Sequence, residues 1–66
     1  MFAKILKNLR ISHNLTQREL AQKLRLHQSN VSDWESGVSR PEYENLITLA
    51  DIFDVSLDEL LGRKPI

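Results

Sequence analysis

The sequence contains no cysteine, so neither a disulfide nor a thiolate metal site can brace the fold. Its two histidines, His13 and His27, stand fourteen positions apart, a separation that fits no common ligand motif, and no metal or cofactor is expected. Only two glycines and two prolines punctuate the 66 residues, and the β-branched residues are scattered rather than alternating, which disfavours strands and hairpins. No apolar run approaches the roughly 20 residues that span a bilayer. The opening MFAKILKNLR keeps charges throughout, unlike the apolar stretch of a signal peptide. A cytoplasmic location with no membrane contact is the expectation. A Ser-His-Asp set, a paired-carboxylate signature and a glycine-rich phosphate cradle are all missing as well, so enzymatic chemistry is not expected. A chain of this size buries only about 60% of its unfolded surface, which implies one small domain with a purely hydrophobic core.

Net charge is also absent, since nine basic and nine acidic residues cancel. Their distribution is uneven. Residues 1–40 hold seven basic groups against three acidic ones, and residues 41–66 hold two against six. A +4 part followed by a −4 part is what a nucleic-acid face with an acidic rear would show, although a solvated helical bundle can produce it by chance.

What is present reads as a series of short helices, so the fold class is all-α. Phe2, Ile5, Leu6 and Leu9 recur at helical spacing in a first helix that fades near His13 and Asn14. Thr16 and Glu19 form a capping-box pair that opens a second helix, whose inner face is Leu20, Ala21 and Leu24. After RLH, a third helix runs over about residues 28–36 with Val31 and Trp34 as its apolar contacts and Gly37 as a left-handed stop. Pro41 disfavours helix at Arg40; beyond it, Leu46, Leu49, Ala50 and Phe53 mark a fourth helix. Ser56 and Glu59 repeat the capping box and open a last helix carrying Leu57, Leu60 and Leu61, closed by Gly62. Residues 1–62 form the expected domain and 63–66 a short frayed tail.

The third helix has an unusual polar face. At about 100° per residue, Gln28, Ser29, Ser32, Asp33 and Ser36 fall on one side, opposite Val31 and Trp34. A merely solvated face would favour Lys, Glu and Arg, whereas Gln and Ser cost helix propensity and contribute neutral donors and acceptors. Such groups match base edges: Gln can bond adenine bidentately, Ser several bases, and Asp can accept from cytosine. TQRELAQKL precedes this helix as a brace, with RLH as the turn, which is the layout of a helix-turn-helix. Gln17 and Arg18 lie in the first turn of the brace, where free N–H groups and the helix dipole favour a phosphate oxygen.

LTQRELAQKLRLHQSNVSDWESG followed by RPEYENLITLADIFDVSLDELL resembles the Cro and phage-repressor type of helix-turn-helix, the XRE family, over roughly residues 3–61. The resemblance implies a compact five-helix, lambda-repressor-like domain with the helix-turn-helix at helices 2 and 3. By position it implies base contacts from Gln28, Ser29 and Asp33, with His27 joining at the helix entrance; Ser32, on the same polar face, is expected to join them. It implies phosphate contacts from Gln17, Ser36, Val38 and Arg40, with Gln17 also a support for Gln28. Arg18 joins them from the first turn of the brace, and Asn30, at the edge of the polar face, makes either a phosphate contact or a helix-supporting bond. Arg10 and Glu35 match an ion pair between helices 1 and 3; Arg10 reads either as that scaffold link or as a further phosphate contact. Trp34 reads as core. Three positions depart from the family pattern: Arg25 stands where a glycine of positive φ is usual, His27 replaces a Ser or Thr cap, and Glu42 replaces a small cap, for which Ser39 with Glu42 as box partner is the substitute.

The function so implied is sequence-specific binding of double-stranded DNA by a transcription repressor, acting as a dimer on a palindromic operator through the major groove. The homodimer, formed in solution or only on DNA, is expected to use Leu57, Leu60 and Ile66. The rival reading is a protein-interaction module, such as an antitoxin or bridging factor, binding a toxin or co-regulator through helices 4 and 5.

Overall fold

The structure is a computed structural model that describes all 66 residues, Met1–Ile66. It is all-helical: α1 spans Phe2–Ser12, α2 Gln17–Leu24, α3 Gln28–Ser36, α4 Tyr43–Phe53 and α5 Leu57–Leu60. No helix is long and apolar enough to cross a membrane.

Each helix sends its apolar stripe into one core. Leu6 and Leu9 come from α1, Leu20 and Ala21 from α2, Val31 and Trp34 from α3, Leu49, Ala50 and Phe53 from α4, and Leu60 from α5. Burying a side chain of this kind stabilises by about 1.5–3 kcal/mol, and that gain fixes which face of each helix turns inward. No buried side-chain nitrogen or oxygen lacks a partner.

All five helices end in the same way. Asn14, Arg25, Gly37, Asp54 and Gly62 each take a positive φ, between 53° and 81°. The next residue then donates its N–H to the carbonyl five positions back: Leu15 to Arg10, Leu26 to Ala21, Val38 to Asp33, Val55 to Ala50, Arg63 to Asp58. This is the Schellman arrangement, which satisfies carbonyls that a helix end leaves open. Leu15, Leu26 and Val55 tuck partly into the core after the reversal, whereas Val38 stays 75% exposed.

Helix starts are less uniform. Thr16 and Ser56 each accept from the backbone N–H three residues on, and Glu19 and Glu59 return the bond, so both capping boxes form. The substitute cap at Ser39 does not. Glu42 itself is the N-cap of α4, extended at φ −68° and ψ 163°, with no side-chain bond. Pro41 explains this, because the residue before a proline is pushed out of helical geometry and Pro41 lies between Ser39 and the first helical residue.

Three other expectations are corrected. α5 stops at Leu60, so Leu61 is its C-cap rather than a helical residue and is 40% exposed. Leu60 is fully buried and unavailable to a dimer interface. The tail is held further than expected, since the N–H groups of Arg63 and Lys64 both bond the Asp58 carbonyl, at 2.7 and 3.2 Å.

Candidate nucleic-acid interface

Val31 and Trp34 anchor α3 from beneath, at 0% and 4% exposure. With those two fixed, the 100° repeat turns His27, Gln28 and Ser29 to solvent, while Ser32 and Asp33 lie half-buried on the flanks. α2 and α3 share the most extensive packing of any helix pair, across the turn Arg25, Leu26 and His27. Arg25 holds φ 59° and ψ 40°, the left-handed geometry at a position where the resemblance leads one to look for glycine.

A chain of side-chain hydrogen bonds runs from the scaffold to this face. The Arg10 guanidinium donates from Nε to Glu35 Oε2 at 2.6 Å and from Nη2 to Glu35 Oε1 at 3.0 Å. Its Nη1 donates to the Leu15 carbonyl at 2.8 Å, tying the pair to the α1–α2 turn. The two side chains are 11% and 4% exposed. The bond to Glu35 raises the Arg10 pKa against the opposing effect of burial. Arg10 therefore sits in the scaffold, between α1 and α3.

Gln17 Nε2 donates to Glu35 Oε1 at 3.2 Å, and Gln28 Nε2 donates to Gln17 Oε1 at 3.3 Å. The direction of this chain follows from chemistry. An ionised carboxylate only accepts, so Gln17 must turn its NH₂ towards Glu35 and its carbonyl towards Gln28, which must in turn offer an N–H. Gln28, an exposed residue, is left with its carbonyl oxygen and one amide hydrogen free, the acceptor and donor types that adenine N6 and N7 call for. A glutamine side chain free in solvent would present either order.

At the start of α2, Glu19 N–H is taken by Thr16 Oγ1 at 3.0 Å, which leaves the N–H groups of Gln17 and Arg18 without helical partners. Arg18 is exposed beside them. The other sequence-expected phosphate contacts lie on both sides of α3. Asn30 is half-buried and shares an open cleft with Trp34, Ser39, Arg40 and Asn45. Ser36 is exposed and its hydroxyl donates to the Asp33 carbonyl at 3.2 Å. Val38 has no free donor, because its only N–H is spent on Asp33 at 2.9 Å.

The sequence reading did not place Lys7 or Asn45 beside α3. Both stand on other helices, α1 and α4, and reach the flanks only through tertiary packing. The helical repeat of α1 assigns Lys7 to the solvent side but says nothing of its neighbour.

Comparison with known proteins bears on the whole surface. A helix-turn-helix family model matches residues 6–60. The transcriptional activator BcrR of Enterococcus faecalis is 42% identical over 61 residues, covering 92% of this chain and 30% of that protein. A crystal structure of a transcriptional regulator from Listeria innocua superposes with TM-score 0.90 at 37% identity, over 94% of this chain and 58% of that one. The P22 c2 repressor, solved with a synthetic operator, superposes with TM-score 0.85 at 23% identity over 91% of each chain, a likeness of fold. The chain spans about half the length or less of the curated relatives it matches. On the family match and the geometry together, this chain belongs to the XRE-type, Cro and phage-repressor family of helix-turn-helix DNA-binding domains.

Proposed function

We infer that the chain is the DNA-binding domain of a sequence-specific transcription regulator that inserts α3 into the major groove of duplex DNA. The observation that carries this reading is the hydrogen-bond chain ending at Gln28, which orients a neutral donor–acceptor pair outward from a face without Lys or Arg. Gln28 and Ser29 are the central base readers, with His27, Ser32 and Asp33 at their sides. Gln17, Arg18, Asn30, Ser36 and Arg40 hold phosphates, and Arg10 acts from behind by fixing Glu35. Val38 contributes shape alone.

The regulator acts as a repressor, because occupying an operator excludes polymerase sterically and needs no further surface. It binds a palindromic operator as a homodimer with half-sites about one helical turn apart. The exposed apolar groups at the α5 end, Leu61 and Ile66, are the contact between copies in place of Leu60. Its expected location is the cytoplasm, where the DNA is accessible.

Selection of binding sites from random duplex DNA tests the reading. The unmodified chain selects a two-fold consensus. Gln28→Ala relaxes one position of each half-site at a cost of about 1–3 kcal/mol and leaves the others unchanged. Equal weakening on every sequence would make Gln28 a backbone contact and remove the central claim.

A further inference from the structure

A second cleft, of about 310 Å³, opens on the side of α3 away from Asn30 and is lined by Lys7, Gln17, Ser32, Glu35 and Ser36, with no apolar side chain among them. Resting on the DNA-binding reading above, we propose that this cleft seats one backbone phosphate of the bound duplex and that Lys7 on α1 is the cation that neutralises it.

The argument begins with what each lining group has left to give. Glu35 would repel an anion if its charge were open, but Arg10 and Gln17 already occupy it with three hydrogen bonds. Gln17 uses one amide hydrogen on Glu35 and keeps the other. Ser32 stands half-buried at the rim with a hydroxyl that rotates to suit an acceptor. Lys7 is exposed, and the ion pairs of the chain are Arg10 with Glu35 and Lys64 with Asp58, so the Lys7 ammonium has no carboxylate partner. The cleft thus collects donors and one free positive charge, with no apolar residue in its lining. It opens along the flank of α3, where a strand of DNA passes when the polar face is in the groove. Placing this cation on α1 gives the duplex a hold on a third helix, besides α2 and α3.

Each phosphate neutralised contributes about 0.9 to the slope of log affinity against log salt. Between 50 and 200 mM salt, Lys7→Gln should therefore lose about 3.5-fold less affinity than the unmodified chain does. Lys7→Arg restores the full slope. Arg63→Gln makes the same charge change at the α5 end and leaves the slope unaltered. A scan of duplexes with single methylphosphonate linkages adds a pairwise readout: one linkage per half-site weakens the unmodified chain clearly more than it weakens Lys7→Gln. Thermal melting of Lys7→Gln should match the unmodified chain, since the side chain is exposed. A Lys7→Gln slope equal to that of the unmodified chain, with no linkage showing coupling, overturns the Lys7 site while leaving the DNA reading standing. Failure of the unmodified chain to bind any duplex overturns the DNA reading, and the Lys7 site falls with it.

Discussion

α2 and α3 are adjacent in sequence, nearly equal in length at 8 and 9 residues, and packed together, yet they are stabilised by opposite means. α2 is built from good helix formers, Glu, Leu, Ala, Gln and Lys, and opens with a complete capping box. α3 opens at His27 with no side-chain cap bond and spends five of its nine positions on Ser, Asn and Asp. The brace is a helix by its own chemistry. The reading helix is one because Val31, Trp34 and the Arg10–Glu35 pair hold it from inside. Local rules are broken where the surface faces a partner and obeyed where it faces the protein.

The sharpest way to break this contrast is Glu35→Ala, which removes the tertiary hold on α3 and leaves the Arg10 charge uncompensated. It should cost about 3 kcal/mol in urea unfolding. A midpoint equal to that of the unmodified chain would mean that α3 stands without the pair. Thr16→Ala attacks α2 instead, at its cap, and should cost about 1 kcal/mol. A much larger loss there would show that α2, too, depends on one point of support. His27→Ser supplies the cap that α3 lacks and should raise stability by up to about 1 kcal/mol, read as a higher melting temperature. Arg25→Gly relieves the left-handed residue between the two helices and gains up to about 1 kcal/mol; a destabilised variant would mean that the Arg25 side chain supports the turn.

The smallest effect is one of pH. The Thr16 backbone N–H, donating at 2.8 Å, and then the Thr16 hydroxyl hold the Glu19 carboxyl below the usual carboxylate range. A depressed folded pKa stabilises above the unfolded value, near about 4.3, and the contribution disappears as pH falls through the lower folded value. Melting temperature should therefore decline on acidification below about pH 4, and less so in Glu19→Gln. Identical acid profiles for the two proteins would contradict the capping role of the charge.

Much of this was legible in the sequence. Both capping boxes, the stop at Gly37, the left-handed Arg25 and the Arg10–Glu35 pair follow from spacing of two to five residues or from the resemblance to the family. What escaped depends on geometry that spacing does not encode. The Ser39 box fails because Pro41 sits inside it. Leu61 is turned out because α5 ends one residue earlier than its leucine pattern. Val38 is a loop residue whose N–H is spent on closing α3, a bond visible only once the reversal at Gly37 is placed. The support of Gln28 by Gln17 follows from the resemblance, whereas the bond from Gln17 to Glu35 joins positions that only the packing of α2 on α3 brings together.

The five reversals at Asn14, Arg25, Gly37, Asp54 and Gly62 bear on how such a domain can diversify. Each segment halts at a single residue whose left-handed backbone also aims the segment after it, so inserting or deleting one residue there would swing everything downstream. Length is frozen at these junctions. Change is left to the outward side chains of residues 27–33, which can be exchanged one at a time without moving the frame, so relatives with new targets should arise by substitution rather than by insertion.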